Sequence, residues 1–222
     1  MTGRVQDLLF NSFFEILVPG LTATIPLTVI SFSLALGIAM IVALVRHARV
    51  PVLSGLARFY TWFMRGTPLL VQLYVVFYGL PDFGVLIDPF PAAVIVFSLN
   101  TGAYASETLR AAIGAVPVGQ IEAARSLGMG YLQVMRYIVL PQALRIAFPP
   151  LFNELISLVK DTSLAANITV LEMLMATQRI VSRTYEVLPL YLELAAIYLL
   201  ISTVLTWLQH VGERRLALPR AA

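Results

Sequence analysis

From Ile16 to Val45, thirty residues run without a single charged side chain. A helix needs about 20 apolar residues to cross the hydrocarbon of a bilayer. In lipid every backbone polar group must be satisfied within the chain, so such a stretch has to be helical. The rest of the chain agrees: 59% of the 222 residues are hydrophobic and 12% charged, against about a quarter charged in soluble domains. With a mean hydropathy of +0.85, the expectation is an all-α integral membrane protein. A net charge of +3, carried by dispersed basic residues, gives no footprint for nucleic acid. Without cysteine there is no disulfide framework or thiolate site, and two histidines, His47 and His210, make a metal centre unexpected. The first sixteen residues lack the succession of a cleaved signal peptide.

Five spans are expected, at about 16–45, 60–80, 91–113, 144–168 and 188–209, all in one transmembrane domain covering residues 1–222. Pro19, Gly20 and Pro26 mark the start of the first, and Pro141, Pro149 and Pro150 should kink or delay the fourth. A looser stretch, 171–186, precedes the fifth. Basic residues set the orientation. Arg46, Arg49, Arg58, Arg65, Arg110, Arg125, Arg136, Arg145, Arg214, Arg215 and Arg220 fall on one side, and Arg4, Arg179 and Arg183 on the other. The positive-inside bias puts the N-terminus outside and the C-terminus in the cytoplasm.

Between the third and fourth spans lies Gly119 to Pro141, GQIEAARSLGMGYLQVMRYIVLP. Residues 118–127, overlapping its start, read as a short helix: Pro117 suits a helix start and Gly128 a left-handed end. Glu122 and Arg125, three apart, can pair. Ala123 and Ala124 leave room for a partner's close approach. With Arg125 as its only basic residue, the segment is a poor interfacial helix.

The order Glu122-Ala123-Ala124, Gly128, then Ile138, Leu140 and Pro141 resembles the EAA loop of membrane subunits of binding-protein-dependent ABC importers. Arg65-Gly66-Thr67-Pro68-Leu69-Leu70-Val71-Gln72 is similar to a signature of permeases for polar amino acids. So are Ala103-Tyr104 with Glu107, Val116-Pro117 with Gly119-Gln120, Leu140 to Arg145, Pro149-Pro150, and Lys160-Asp161-Thr162-Ser163-Leu164. The resemblance extends from about Thr22 to Leu216.

It implies a type I ABC importer permease of the bacterial cytoplasmic membrane, with the short helix as a cytoplasmic coupling helix. Gly119, Glu122, Ala123, Ala124, Arg125 and Gly128 would meet the ATPase subunit. The other implied partners are a second permease, identical or paralogous, and an extracytoplasmic amino-acid-binding protein. No catalytic site and no cofactor belong to this chain: it has no GxxxxGK(S/T) loop, and ATP and Mg would sit on the partner.

Polar residues inside spans are costly and therefore mark candidate paths. Asn100, Tyr104 and Glu107 share one helical face, and Glu154 and Asp161, seven apart, share another. Asn100, Ser98 and Thr101 beside Glu154 and Asp161 form a candidate site for an amino acid. Asn100 would take the substrate carboxylate, and Glu154 and Asp161 its positive groups. Many members of the family this chain resembles carry Gln where Glu154 stands, so a carboxylate here hints at arginine, lysine, histidine or ornithine. Alternatively Lys160 neutralises a carboxylate on a partner helix, and Arg110 or a water-filled vestibule satisfies Glu107. An ion-coupled secondary transporter, with Glu107, Glu154 and Asp161 as a relay, is the competing function. It lacks an inverted repeat and has no use for a docking helix. No HExxH or GxSxG motif supports a membrane enzyme.

Overall fold

The computed structural model describes residues 2–48 and 51–216, and every element among them is helical. Arg49 and Arg220, counted above for orientation, lie outside the described residues.

Helices α1 (Thr2–Pro19) and α2 (Ile25–Ala48) join through a π-turn at Gly20–Thr24. Pro19 to Pro26, expected to mark the entry of a span, lie within one continuous helical rod. From Gln6 to His47 the rod has 42 residues, about 63 Å at a rise of ~1.5 Å per residue. That is roughly twice the hydrocarbon thickness.

The second apolar stretch is not one helix over 60–80. It is α3 (Pro51–Gly66) followed, after Thr67-Pro68, by α4 (Leu69–Tyr74), a π-turn (Val75–Gly79) and a 3-10 turn (Leu80–Phe83). The two halves meet at 105°. Pro68 has no N–H to continue α3, and a residue before proline is pushed out of the helical region. The carbonyls freed at this break find side-chain donors. Gln72 Nε2 donates to Met64 O at 2.9 Å and Thr67 O at 3.2 Å, and Asn100 Nδ2 donates to Met64 O at 3.1 Å.

At the centre is α5 (Pro89–Gly114), with fourteen buried residues, most of them small. Its main neighbour is α2, which buries Ser31, Ala35, Ala39 and Ala43 at four-residue spacing. Small side chains let the two backbones come close, as packing in lipid requires. A Cβ on Gly102 would stand 3.0 Å from Ile38 Cγ2. Tyr60 Oη on α3 donates to Leu99 O at 2.5 Å, fixing α3 to the same helix.

After α6 (Val118–Ser126) come α7 (Tyr131–Val134), a π-turn (Met135–Val139), α8 (Leu140–Asp161) and a 3-10 segment (Thr162–Ile168). Pro149 and Pro150 lie inside α8, so they neither break nor delay it. The stretch expected to be loose is largely α9 (Met173–Thr184), which precedes α10 (Val187–Leu216). Its cap is Glu172, fully buried, which accepts from Met175 N at 2.8 Å and from Tyr198 Oη at 3.1 Å. The pair of contacts ties α9 to α10, and α1 packs on both.

All three π-turns end two residues before a proline: Thr24 before Pro26, Gly79 before Pro81, Val139 before Pro141. A proline ring clashes with the carbonyl four residues earlier and offers that carbonyl no donor. Each such carbonyl, on Thr22, Phe77 or Tyr137, lies in the widened turn. There the bonding shifts to i−5, as in Ile25 N–H to Gly20 O and Leu140 N–H to Met135 O.

Gln6–His47 and Val187–Leu216 are each long and apolar enough to cross a membrane, and two bent pairs qualify when joined. Large apolar residues stand exposed on the outer faces, among them Ile41, Leu199, Leu200 and Val204. A soluble surface rarely shows so much contiguous apolar area.

Candidate functional site

The break after α3 opens a cavity of about 450 Å³ between that break, α5 and the end of α8. Asn100, Thr101, Glu154 and Asp161 all line it, so the two helical faces marked in the sequence meet here. Ser98 does not. It is buried, and its hydroxyl donates to Val94 O at 2.6 Å. Two residues before Asn100, it sits on the far side of the helix.

Asn100 also differs from expectation. Its Nδ2 is used twice by the protein, on Met64 O and on Gln72 Oε1 at 3.0 Å. No side-chain N–H remains for a substrate carboxylate, so Asn100 offers the cavity its oxygen.

Arg65, Thr67 and Tyr104 line the same space. The sequence placed Arg65 with the loop charges, because a second span beginning at residue 60 gave no reason to expect a bend. Two signals pointed to it: the Gly66-Thr67-Pro68 helix breaker, and Tyr104 on the face of Asn100. The Arg65 guanidinium lies over the Tyr104 ring, 5.2 Å from its centroid. Such stacking holds a cation through the ring's quadrupole while its N–H edge stays free to bind.

Glu154 and Asp161 are half-buried, and among the described residues no basic group lies within ion-pair distance of either. Lys160 is exposed and forms no ion pair with either. The cavity is thus lined by one guanidinium, two unpaired carboxylates, the hydroxyl-bearing Thr67, Thr101 and Tyr104, and the amide of Asn100. That set complements a molecule carrying both a carboxylate and ammonium or guanidinium groups. Glu107 stands apart from it: Arg46 and Arg110 bind its two oxygens, the latter at 2.8 Å.

The second candidate region is α6. Its helix ends with Gly128 at φ 82, and Gly128 N and Met129 N close back on Arg125 O and Ala124 O at 2.9 and 3.1 Å. This is the left-handed closure the sequence anticipated. Gly119, Glu122, Ala123, Arg125 and Gly128 are exposed, flanked by Val118 and Leu127. Ala124 is not part of this face. It is 4% exposed and packs with Val116, Val134 and Met135, pinning the helix to the bundle. Among the described residues, Glu122 and Arg125 form no ion pair, so both charges remain available. Gln142 Nε2 donates to Gln120 Oε1 at 2.5 Å, linking α6 to α8.

Residues 35–218 match the family described as the binding-protein-dependent transport system inner membrane component. The chain is 49% identical over 216 residues to the L-cystine transport system permease protein TcyB of Bacillus subtilis, covering 97% of this chain and 92% of that one. It is 38% identical to the octopine transport system permease protein OccM of Rhizobium radiobacter, covering 86% and 82%. Among solved structures, it resembles an amino acid ABC transporter crystallised with histidines at a TM-score of 0.88 and 35% identity, over 94% of this chain and 97% of that one. Inward-facing MetNI, a methionine ABC transporter, shares the fold at a TM-score of 0.71 and 17% identity, over 98% and 100%.

Proposed function

Since the chain belongs to the binding-protein-dependent transport system inner membrane component family, we propose that it is the permease subunit of an ATP-driven amino-acid importer. Its cavity at Arg65, Asn100, Thr101, Glu154 and Asp161 is the site where the amino acid pauses on its way through. The convergence of one guanidinium with two unpaired carboxylates carries this reading. Arg65 takes the α-carboxylate, and Glu154 and Asp161 take two positive groups. A cationic amino acid fits, and so does a double zwitterion such as cystine, the cargo in the name of the relative at 49% identity.

The exposed face of α6 docks on an ATP-hydrolysing subunit, which holds ATP and Mg. A second permease, an extracytoplasmic binding protein and a bacterial cytoplasmic membrane complete the assembly. Five spans, with the N-terminus outside, are supported by the distribution of basic residues. Closure of the ATPase subunits moves α6, and the cavity changes the side to which it opens.

Uptake into vesicles containing the complete complex, with ATP inside, tests this. Cystine, arginine, lysine, histidine, ornithine and glutamine are compared in wild type and Glu154→Gln. Selective loss of substrates with two positive groups is the expected result. Uptake indifferent to the substitution would remove Glu154 from the path. Uptake that needs no ATP would favour an ion-coupled carrier instead.

A further inference from the structure

A second polar cavity, about 690 Å³, lies at the end of the bundle from which the chain runs into α6. It is lined by Arg46 and His47 at the end of α2, by Ser54 and Arg58 on α3, and by Arg110 on α5. Three guanidiniums line it, and two of them, Arg46 and Arg110, bind the carboxylate of Glu107. Among the described residues Arg58 has no carboxylate within 4.0 Å; its Nε donates only to Ser54 O, at 3.3 Å. The crevice therefore carries excess positive charge with fixed geometry. Ser54 Oγ donates to Val45 O at 3.1 Å and holds its two walls together.

The wall continues as an apolar strip. Trp62 lies four residues beyond Arg58 on the same side of α3, 69% exposed, and Phe59 beside it is 61% exposed. Their ring centroids are 5.8 Å apart. An anion site leading, one helical turn on, into exposed aromatic rings is shaped for an amphiphile rather than for a free anion or an acidic protein surface. We propose that this crevice binds an anionic phospholipid. The headgroup phosphate sits against Arg58, Arg46 and Arg110, and an acyl chain lies along Phe59 and Trp62. Basic pockets between membrane helices favour such headgroups through the negative potential of the leaflet.

The test uses the full importer complex and native mass spectrometry of retained lipid, with phosphatidylglycerol, phosphatidylcholine and glycerol phosphate as probes. Wild type should retain phosphatidylglycerol over phosphatidylcholine. Arg58→Gln should lower that retention roughly fivefold, the worth of one basic residue at an anionic surface. Arg58→Lys should preserve the preference, and Trp62→Ala should lower retention of both lipids alike; these two carry the test if Arg58→Gln does not fold. Equal retention of both lipids, unaffected by Arg58→Gln, overturns the proposal. Displacement of phosphatidylglycerol by an equal concentration of glycerol phosphate overturns it in favour of a free phosphoanion. Loss of the ATPase subunit from the Arg58→Gln complex, with lipid unchanged, overturns it in favour of a protein contact.

Discussion

Asn100 donates to the side-chain oxygen of Gln72 across 3.0 Å, and both amides also donate to the carbonyl of Met64. A break in one helix is thus held open by a residue of another, and the cavity exists because of that pairing. Gln72→Leu should leave Thr67 O without its amide donor and Asn100 without its acceptor. Each unsatisfied buried group costs about 1–3 kcal/mol. The expected outcome is a fall of several degrees in Tm and a loss of uptake, although Gln72 does not line the cavity. Unchanged melting would show that the break is held by other contacts.

Gly102 governs the approach of α5 to α2. A Cβ there meets Ile38 Cγ2 at 3.0 Å, Ile38 Cβ at 3.1 Å and Tyr60 Oη at 3.2 Å. Gly102→Val should destabilise by about 1–3 kcal/mol through overpacking. Adding Ile38→Ala should recover part of it in a double-mutant cycle. Strict additivity of the two changes would mean that they do not share a contact.

Adjacent alanines in α6 should respond in opposite ways. Ala124→Trp puts a large ring where 4% of the residue is exposed, and the permease should fail to fold. Ala123→Trp changes an exposed position: Tm should hold within a degree or two while the ATPase subunit no longer co-purifies. Co-purification at wild-type yield would move the docking surface elsewhere.

Glu172 joins the cap of α9 to the Tyr198 hydroxyl of α10. Glu172→Ala should cost on the order of 1–2 kcal/mol for the cap, and more for the orphaned hydroxyl. Glu172→Gln keeps an acceptor oxygen and should lose less. Thermal melting in detergent separates the two variants, and equal Tm values would leave the cap without weight.

Helical spacing put Asn100 on one face and Glu154 with Asp161 on another, and a polar residue in an apolar helix has few places to go. The same periodicity, applied more strictly, excludes Ser98. Arg65 escaped because its place depends on a 105° bend, and a charge near a proline in an apolar stretch resembles the end of a span. The inward turn of Ala124 depends on Val134 and Met135 arriving from a later element, so no local pattern reveals it. Proline positions carried more than kinks. Pro26, Pro81 and Pro141 are each absorbed by a wider turn, whereas Pro149 and Pro150 are carried within an α-helix.

The π-turn at Gly20–Thr24 also sets the phase of the first rod. Its buried residues step by four through Ser12, Ile16, Gly20, Thr24 and Thr28. In a pure α-helix each four-residue step advances about 40°, so the stripe would wind some 160° around the rod by its last member. One surplus residue in the widened turn takes back about 100° of that drift. The inner half can then face α5 while the outer half still faces α9 and α10. A single missing residue between Gly20 and Thr24 would act like a slipped thread, turning Ser12 and Ile16 away from the helices they pack against.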